Sequence, residues 1–202
     1  ENYLHRLEQD VNALQVIDHS SVVKVLNFRR AVESDRKLNY VVSEYVRGKN
    51  LRDYFEENQN RYTIEDFFEM LDQIAETFDY LHERKILHRD MRLQKIIIRN
   101  FDRIPKIVDF DFGHPHDKIY RAANEYKDID SVSYAAPETC RGLALDYRAD
   151  LYSFAMCIYS TVGKQFAYDA ADPTSLYRKI IQEEPIPVRQ RNGAWPKEFE
   201  EA

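Results

Sequence analysis

An α+β fold that is mainly α is predicted by three features of this 202-residue sequence: two β-branched and aromatic runs near its start, a five-turn run of helical periodicity in its middle, and apolar helical segments through its second half. Leu4, Leu7, Val11, Leu14 and Ile17 recur at three- and four-residue steps, the apolar stripe of an amphipathic opening helix. VVKVLNFRRAV (22–32) and LNYVVSEYV (38–46), joined by the polar ESDRK, predict an antiparallel pair of strands. Ile64, Phe67, Phe68, Leu71, Ile74, Ala75, Phe78 and Leu81 then keep helical spacing, and Thr63 with Asp66 can close a capping box at the start. KIII (95–98) and PKIVDF (105–110) read as short strands. LYSFAMCIYSTV (151–162) reads as a buried helix, and TSLYRKIIQEE (174–184) as a last one.

Composition removes several function classes. A 44% hydrophobic and 13% aromatic content supports a full core and excludes a disordered chain. The net charge is −6 with Lys and Arg dispersed, which gives no footprint for nucleic acid or an anionic membrane. Two cysteines, Cys140 and Cys157, are too few for a disulfide framework, so a reducing, cytoplasmic setting is expected. The start at Glu1 shows no signal-like segment, and the longest apolar run is too short to span a bilayer. With no linker or repeat in the chain, one compact unit is expected.

Four motifs carry chemistry: HRD at 88–90, KIVDFDFG at 106–113, YAAPE at 134–138 and DLYSFA at 150–155. In their order and spacing they resemble the protein kinase family. The resemblance covers nearly the whole chain, from the family's C helix to a point before its last helices. It implies that residues 1–46 are the end of the N-lobe, with the C helix and two strands running to the hinge. Residues 47–202 would be the helical C-lobe, truncated before its final helices. The expected fold is thus kinase-like, mostly C-lobe with the last part of the N-lobe. Missing are the glycine-rich loop and the strand lysine that grips phosphate. The five glycines (48, 113, 142, 163, 193) are too scattered for G-x-G-x-x-G, so this stretch alone is expected to be inactive.

Phosphoryl transfer asks little covalent help of a protein: one carboxylate orients the attacking hydroxyl while cations neutralise the transferring group. The resemblance assigns Asp90 as that base. Arg92 stands where Ser/Thr-directed kinases usually carry a Lys, and Ser131 where they usually carry a Thr, which favours the Ser/Thr class. The resemblance implies ATP and Mg²⁺ as cofactors and a protein as substrate or partner. Two registers offer a metal ligand. Asp109 continues the KIVDF pattern and is preferred, whereas Asp111 begins a literal Asp-Phe-Gly and is the alternative.

Lys95 departs most from the family, which places a metal-binding Asn there. An ammonium cannot ligate a cation while charged. At about 4 Å and an effective dielectric near 20, two unit charges repel by roughly 4 kcal/mol, and a divalent ion doubles that. One metal site is therefore expected to be lost, with Lys95 either meeting phosphate as a catalytic cation or turning outward as a solvated strand residue. The resemblance further places Ser43 as gatekeeper, the backbones of Glu44 and Val46 against adenine, and Ile97 on its floor. Asp10 falls where the C helix usually has its Glu. Leu14, Val25, His88 and Phe110 resemble a stacked spine anchored by Asp150. His114 and His116, flanking Pro115, read as polar loop residues. Two functions stay open, a protein kinase and a pseudokinase that binds or scaffolds. The acids at 90 and 109 speak for the first and Lys95 for the second.

Overall fold

The computed structural model describes residues 2–33, 36–58, 63–112 and 129–194. Its contacts separate two compact units, one of Glu1–Leu87 with Gln94–His114, the other of His88–Leu93 with Pro115–Ala202. A single unit was expected because no linker marks a boundary. The division instead follows which elements pack together, and the first unit runs past residue 46.

In the first unit, α1 (Asn2–Gln15) buries Leu7, Val11 and Leu14, and packs on β1 (Val25–Glu33), which pairs antiparallel with β2 (Arg36–Ser43). Gln15 ties the helix end to the strand by donating to the Leu26 carbonyl at 3.1 Å. A second, three-stranded sheet has β4 (Ile96–Arg99) in the middle, antiparallel to both β3 (Gly48–Asn50) and β5 (Pro105–Ile107). Ile107 extends this sheet by donating to Ser21 O at 2.8 Å and accepting from Val23 N at 2.9 Å.

Two elements here escape the sequence reading, β3 and α2 (Leu51–Asn58). Both are short, and α2 is started by Asn50, whose side chain accepts from Asp53 N at 3.0 Å. The long helix α3 (Ile64–Glu83) is as predicted, with the reciprocal Thr63–Asp66 capping box closed by two 3.1 Å bonds. Its buried face, Phe67, Met70, Ile74, Phe78 and Leu81, keeps the spacing of one helical stripe. Of the two later strands, β4 is shifted by one residue from the expected 95–98, and β5 is shorter than the expected 105–110. Lys95 lies in a 3-10 turn (Leu93–Lys95), and β5 stops at Ile107 because Asp109 turns left-handed at φ 58°.

The second unit is helical: α4 (Ile129–Val132), α5 (Pro137–Cys140), α6 (Tyr147–Gly163), α7 (Pro173–Gln182) and α8 (Val188–Arg191). Asp146 caps α6 by accepting from Arg148 N at 2.9 Å, and Asp172 caps α7 by accepting from Ser175 N at 3.0 Å. Val132, Ala167, Tyr168, Leu176, Tyr177 and Ile180 form a buried cluster here. Among the described residues no helix is long and apolar enough to cross a membrane.

Gly48 is required by close approach. A Cβ there would strike the main-chain oxygen of Ile98 and stand 2.7 Å from Ile97 Cγ2. Gly48→Ala should therefore cost about 1–3 kcal/mol through forced backbone movement. Thermal denaturation should show a Tm lower by several degrees, and an unchanged Tm would mean that β3 gives way freely.

Candidate functional site

In the second unit the site is built on one buried carboxylate. Asp150, in the first turn of α6, is 1% exposed and accepts the backbone N–H of His88 at 2.9 Å and of Arg89 at 2.8 Å. His88 is fully buried, and its Nδ1 lies 3.3 Å from the backbone nitrogen of Asp90. A peptide N–H only donates, so Nδ1 is the acceptor and the neutral ring carries its proton on Nε2. Arg89 adopts φ 66°, a left-handed conformation that a side chain resists. These bonds hold the chain through Asp90 in a shape it would not take alone.

The Asp90 side chain is 12% exposed, and Arg92 Nη2 stands 3.8 Å from its carboxylate. Arg92 Nη1 also donates to Ser131 Oγ at 2.6 Å, joining the carboxylate to a hydroxyl on α4. Asp90, Ser131, Tyr134 and Thr139 help to line one small concavity. The arrangement presents an acceptor carboxylate held by a cation, with a hydroxyl fixed beside that cation. A carboxylate so placed can accept a hydrogen bond from a hydroxyl brought to the concavity.

The first unit holds the other predicted positions. Ser43 ends β2 opposite Val25, and Glu44 follows, donating its N–H to Lys24 O at 2.9 Å. The Glu44 carboxylate accepts from Lys24 N at 2.8 Å and pairs with the buried Lys106 ammonium at 2.5 Å. Burial pushes the Glu44 carboxyl up, but the bonds from Lys106 and Lys24 and the nearby positive charges outweigh it and hold the group below its ordinary value. Val46 is half-buried, as is Ile97, which sits in register with Lys106 on β5 and Asn50 on β3.

Lys95 does not turn outward. It is 8% exposed, and its Nζ donates to the Asp109 main-chain carbonyl at 2.9 Å. Its own carbonyl accepts from Val108 N at 2.9 Å. Asp109 itself is exposed and left-handed, while Phe110 behind it is buried. Asp111 is half-buried. Of the two acids, Asp109 is the one with a left-handed backbone. An exposed carboxylate fits a Mg²⁺ ion held by one or two protein oxygens with phosphates and water completing its shell, whereas Lys95 brings no lone pair.

Other positions are placed more simply. Asp10 is half-buried on α1, and Leu14, Val25, His88 and Phe110 are all buried. Gly113, His114 and His116 lie outside the described residues. Cys157 is buried, and burial pushes the Cys140 thiol up to about 12, so neither is a ready thiolate. The sequence reading missed the Glu44–Lys106 pair and the Arg92–Ser131 bond. A lysine inside a short apolar strand was the signal for the first, because a buried ammonium demands a partner.

A family model described as protein tyrosine and serine/threonine kinase matches residues 1–198. The chain is similar to a probable serine/threonine-protein kinase of Clostridium acetobutylicum, with 29% identity over 202 residues, covering 97% of this chain and 29% of that protein. A probable serine/threonine-protein kinase of Clostridium perfringens is 29% identical over 196 residues, covering 97% and 28%. The serine/threonine-protein kinase PknB of Mycobacterium leprae is 26% identical over 187 residues, covering 93% and 30%. The chain thus spans less than a third of the length of these curated relatives.

The Glu44 pairing gives a pH signature. A carboxyl held below its ordinary value of 4.5 when folded contributes stability above that value, and the contribution drains away as pH falls through the lower folded one. Wild type and Glu44→Gln should therefore differ clearly in urea midpoint at about pH 6 and converge toward about pH 3. A gap that stays constant across this range would show that the charge on Glu44 does not matter.

Proposed function

Because the chain belongs to the protein tyrosine and serine/threonine kinase family, we propose that the protein containing it transfers the γ-phosphoryl group of ATP to Ser or Thr hydroxyls of a protein substrate. The observation that carries this reading is the Asp90–Arg92–Ser131 arrangement, with the carboxylate 3.8 Å from a guanidinium that also binds a hydroxyl at 2.6 Å. In this reading Asp90 orients the substrate hydroxyl and receives its proton as the oxygen attacks the γ-phosphorus. The bond from that phosphorus to the bridging oxygen of ADP breaks in line. Arg92 keeps Asp90 aimed and can reach the phosphoryl oxygens as a bidentate donor.

The nucleotide side of the reading falls in the first unit. The Glu44 N–H is already bound to Lys24 O, so this residue would meet the adenine amine with its carbonyl, and Val46 would donate from its N–H. Ser43 would border the pocket, and Ile97 would give the base an apolar floor. Asp109 would hold Mg²⁺, which when bound neutralises charge on the phosphates. We divide the lobes at the hinge, with residues 1–46 ending the smaller and 47–202 belonging to the larger.

A second reading, a pseudokinase that binds nucleotide or a protein partner without transfer, is favoured by Lys95 alone. Losing the base should cost more than losing a second metal ligand, because the base acts on a proton that moves only at the transition state. The test uses the full-length protein, with phosphoserine and phosphothreonine on a protein acceptor measured by mass spectrometry. Wild type should transfer phosphate, and Asp90→Asn should be slower by about 100-fold or more with nucleotide binding retained. If wild type binds ATP yet transfers no more than Asp90→Asn, and Lys95→Asn restores transfer, the pseudokinase reading replaces this one.

A further inference from the structure

Lys95 grips the chain around Asp109 from both sides. Its carbonyl accepts from Val108 N at 2.9 Å, and its ammonium donates to Asp109 O at 2.9 Å. Between these two bonds lies the φ of Asp109, at 58°. An aspartate tolerates this region better than most residues but is still strained there, and the conformation persists only where the surroundings impose it. A cation on a carbonyl oxygen makes a charge-assisted bond, stronger than a neutral one. With Lys95 only 8% exposed, that bond is not readily exchanged for water.

The same ammonium has a second consequence. It has three donors and no lone pair, so it fills space beside Asp109 with a positive charge that no metal ion can share. We infer that Lys95 is a positioning residue, locking Asp109 in its left-handed conformation and, as a fixed charge beside it, limiting the site to one divalent cation per nucleotide. The locking rests on geometry alone, while the limit to one cation rests on the kinase reading. A built-in lock of this kind would hold the metal loop in one shape before any nucleotide arrives.

The two parts are tested separately in the full-length protein. Without nucleotide, hydrogen exchange read by mass spectrometry over residues 106–112 should be about tenfold faster or more in Lys95→Met than in wild type, with exchange in α3 unchanged as the control for folding. Equal rates would overturn the lock. With a non-hydrolysable ATP analogue, electron paramagnetic resonance should count one bound Mn²⁺ in wild type and two in Lys95→Asn. Two ions in wild type, or one in both proteins, would overturn the limit. The wild-type count stands even if a variant misfolds. If no protein binds nucleotide or Mn²⁺, the kinase reading is what fails, and the exchange measurement still decides the lock.

Discussion

The carboxylate of Asp150, buried in α6 and accepting two successive backbone N–H groups, is the interaction on which the candidate base depends. A buried carboxylate without partners would be costly. Bonds to a charged acceptor contribute about 1.5–3 kcal/mol each, and together they exceed the roughly 1–2 kcal/mol that the left-handed Arg89 costs. The strain at Arg89 is thereby offset by the residue that also fixes the loop's position. Asp90 then emerges with its carboxylate beside Arg92, and Arg92 is fixed in turn by Ser131.

The first unit solves a similar problem with opposite charge. There Asp109 takes the left-handed conformation, and a cation on its carbonyl, rather than an anion on neighbouring amides, holds it. Both candidate working acids thus sit at or beside a strained residue secured by a buried charged side chain. A carboxylate that must meet a moving proton or a metal ion gains by being held before the reaction, since alignment is then not lost on binding. Lys95 acts here as a buried structural cation, bound through its ammonium to the Asp109 main-chain carbonyl.

Legibility in the sequence followed the range of the interactions. The α3 capping box and apolar stripe were readable because every partner lies within a few residues. The HRD, Ala-Pro-Glu and Asp-Leu-Tyr motifs located Asp90 and Asp150, since motif order survives without knowledge of contacts. The short β3 and α2 were missed because a glycine with two polar residues, and a helix of only two turns, carry little periodicity. Glu44 with Lys106, and Arg92 with Ser131, join residues far apart in the chain, and composition does not pair them. The left-handed turn at Asp109 was not legible, because side-chain identity alone constrains a backbone angle weakly. Lys95 was read as the first residue of a strand, either meeting phosphate or turned to solvent. The strand begins one residue later, and the 3-10 turn points its side chain inward.

The most direct test of this account separates rate from affinity at Asp150. Asp150→Asn keeps the side-chain volume but replaces one acceptor oxygen with a donor, so one of the two backbone N–H groups loses its partner. The phosphoryl-transfer rate of the full-length protein and its nucleotide Kd are to be measured side by side. If the clamp aims Asp90, the rate should fall by about 100-fold while Kd changes by less than about twofold. A folded Asp150→Asn protein that transfers phosphate at the wild-type rate would contradict it.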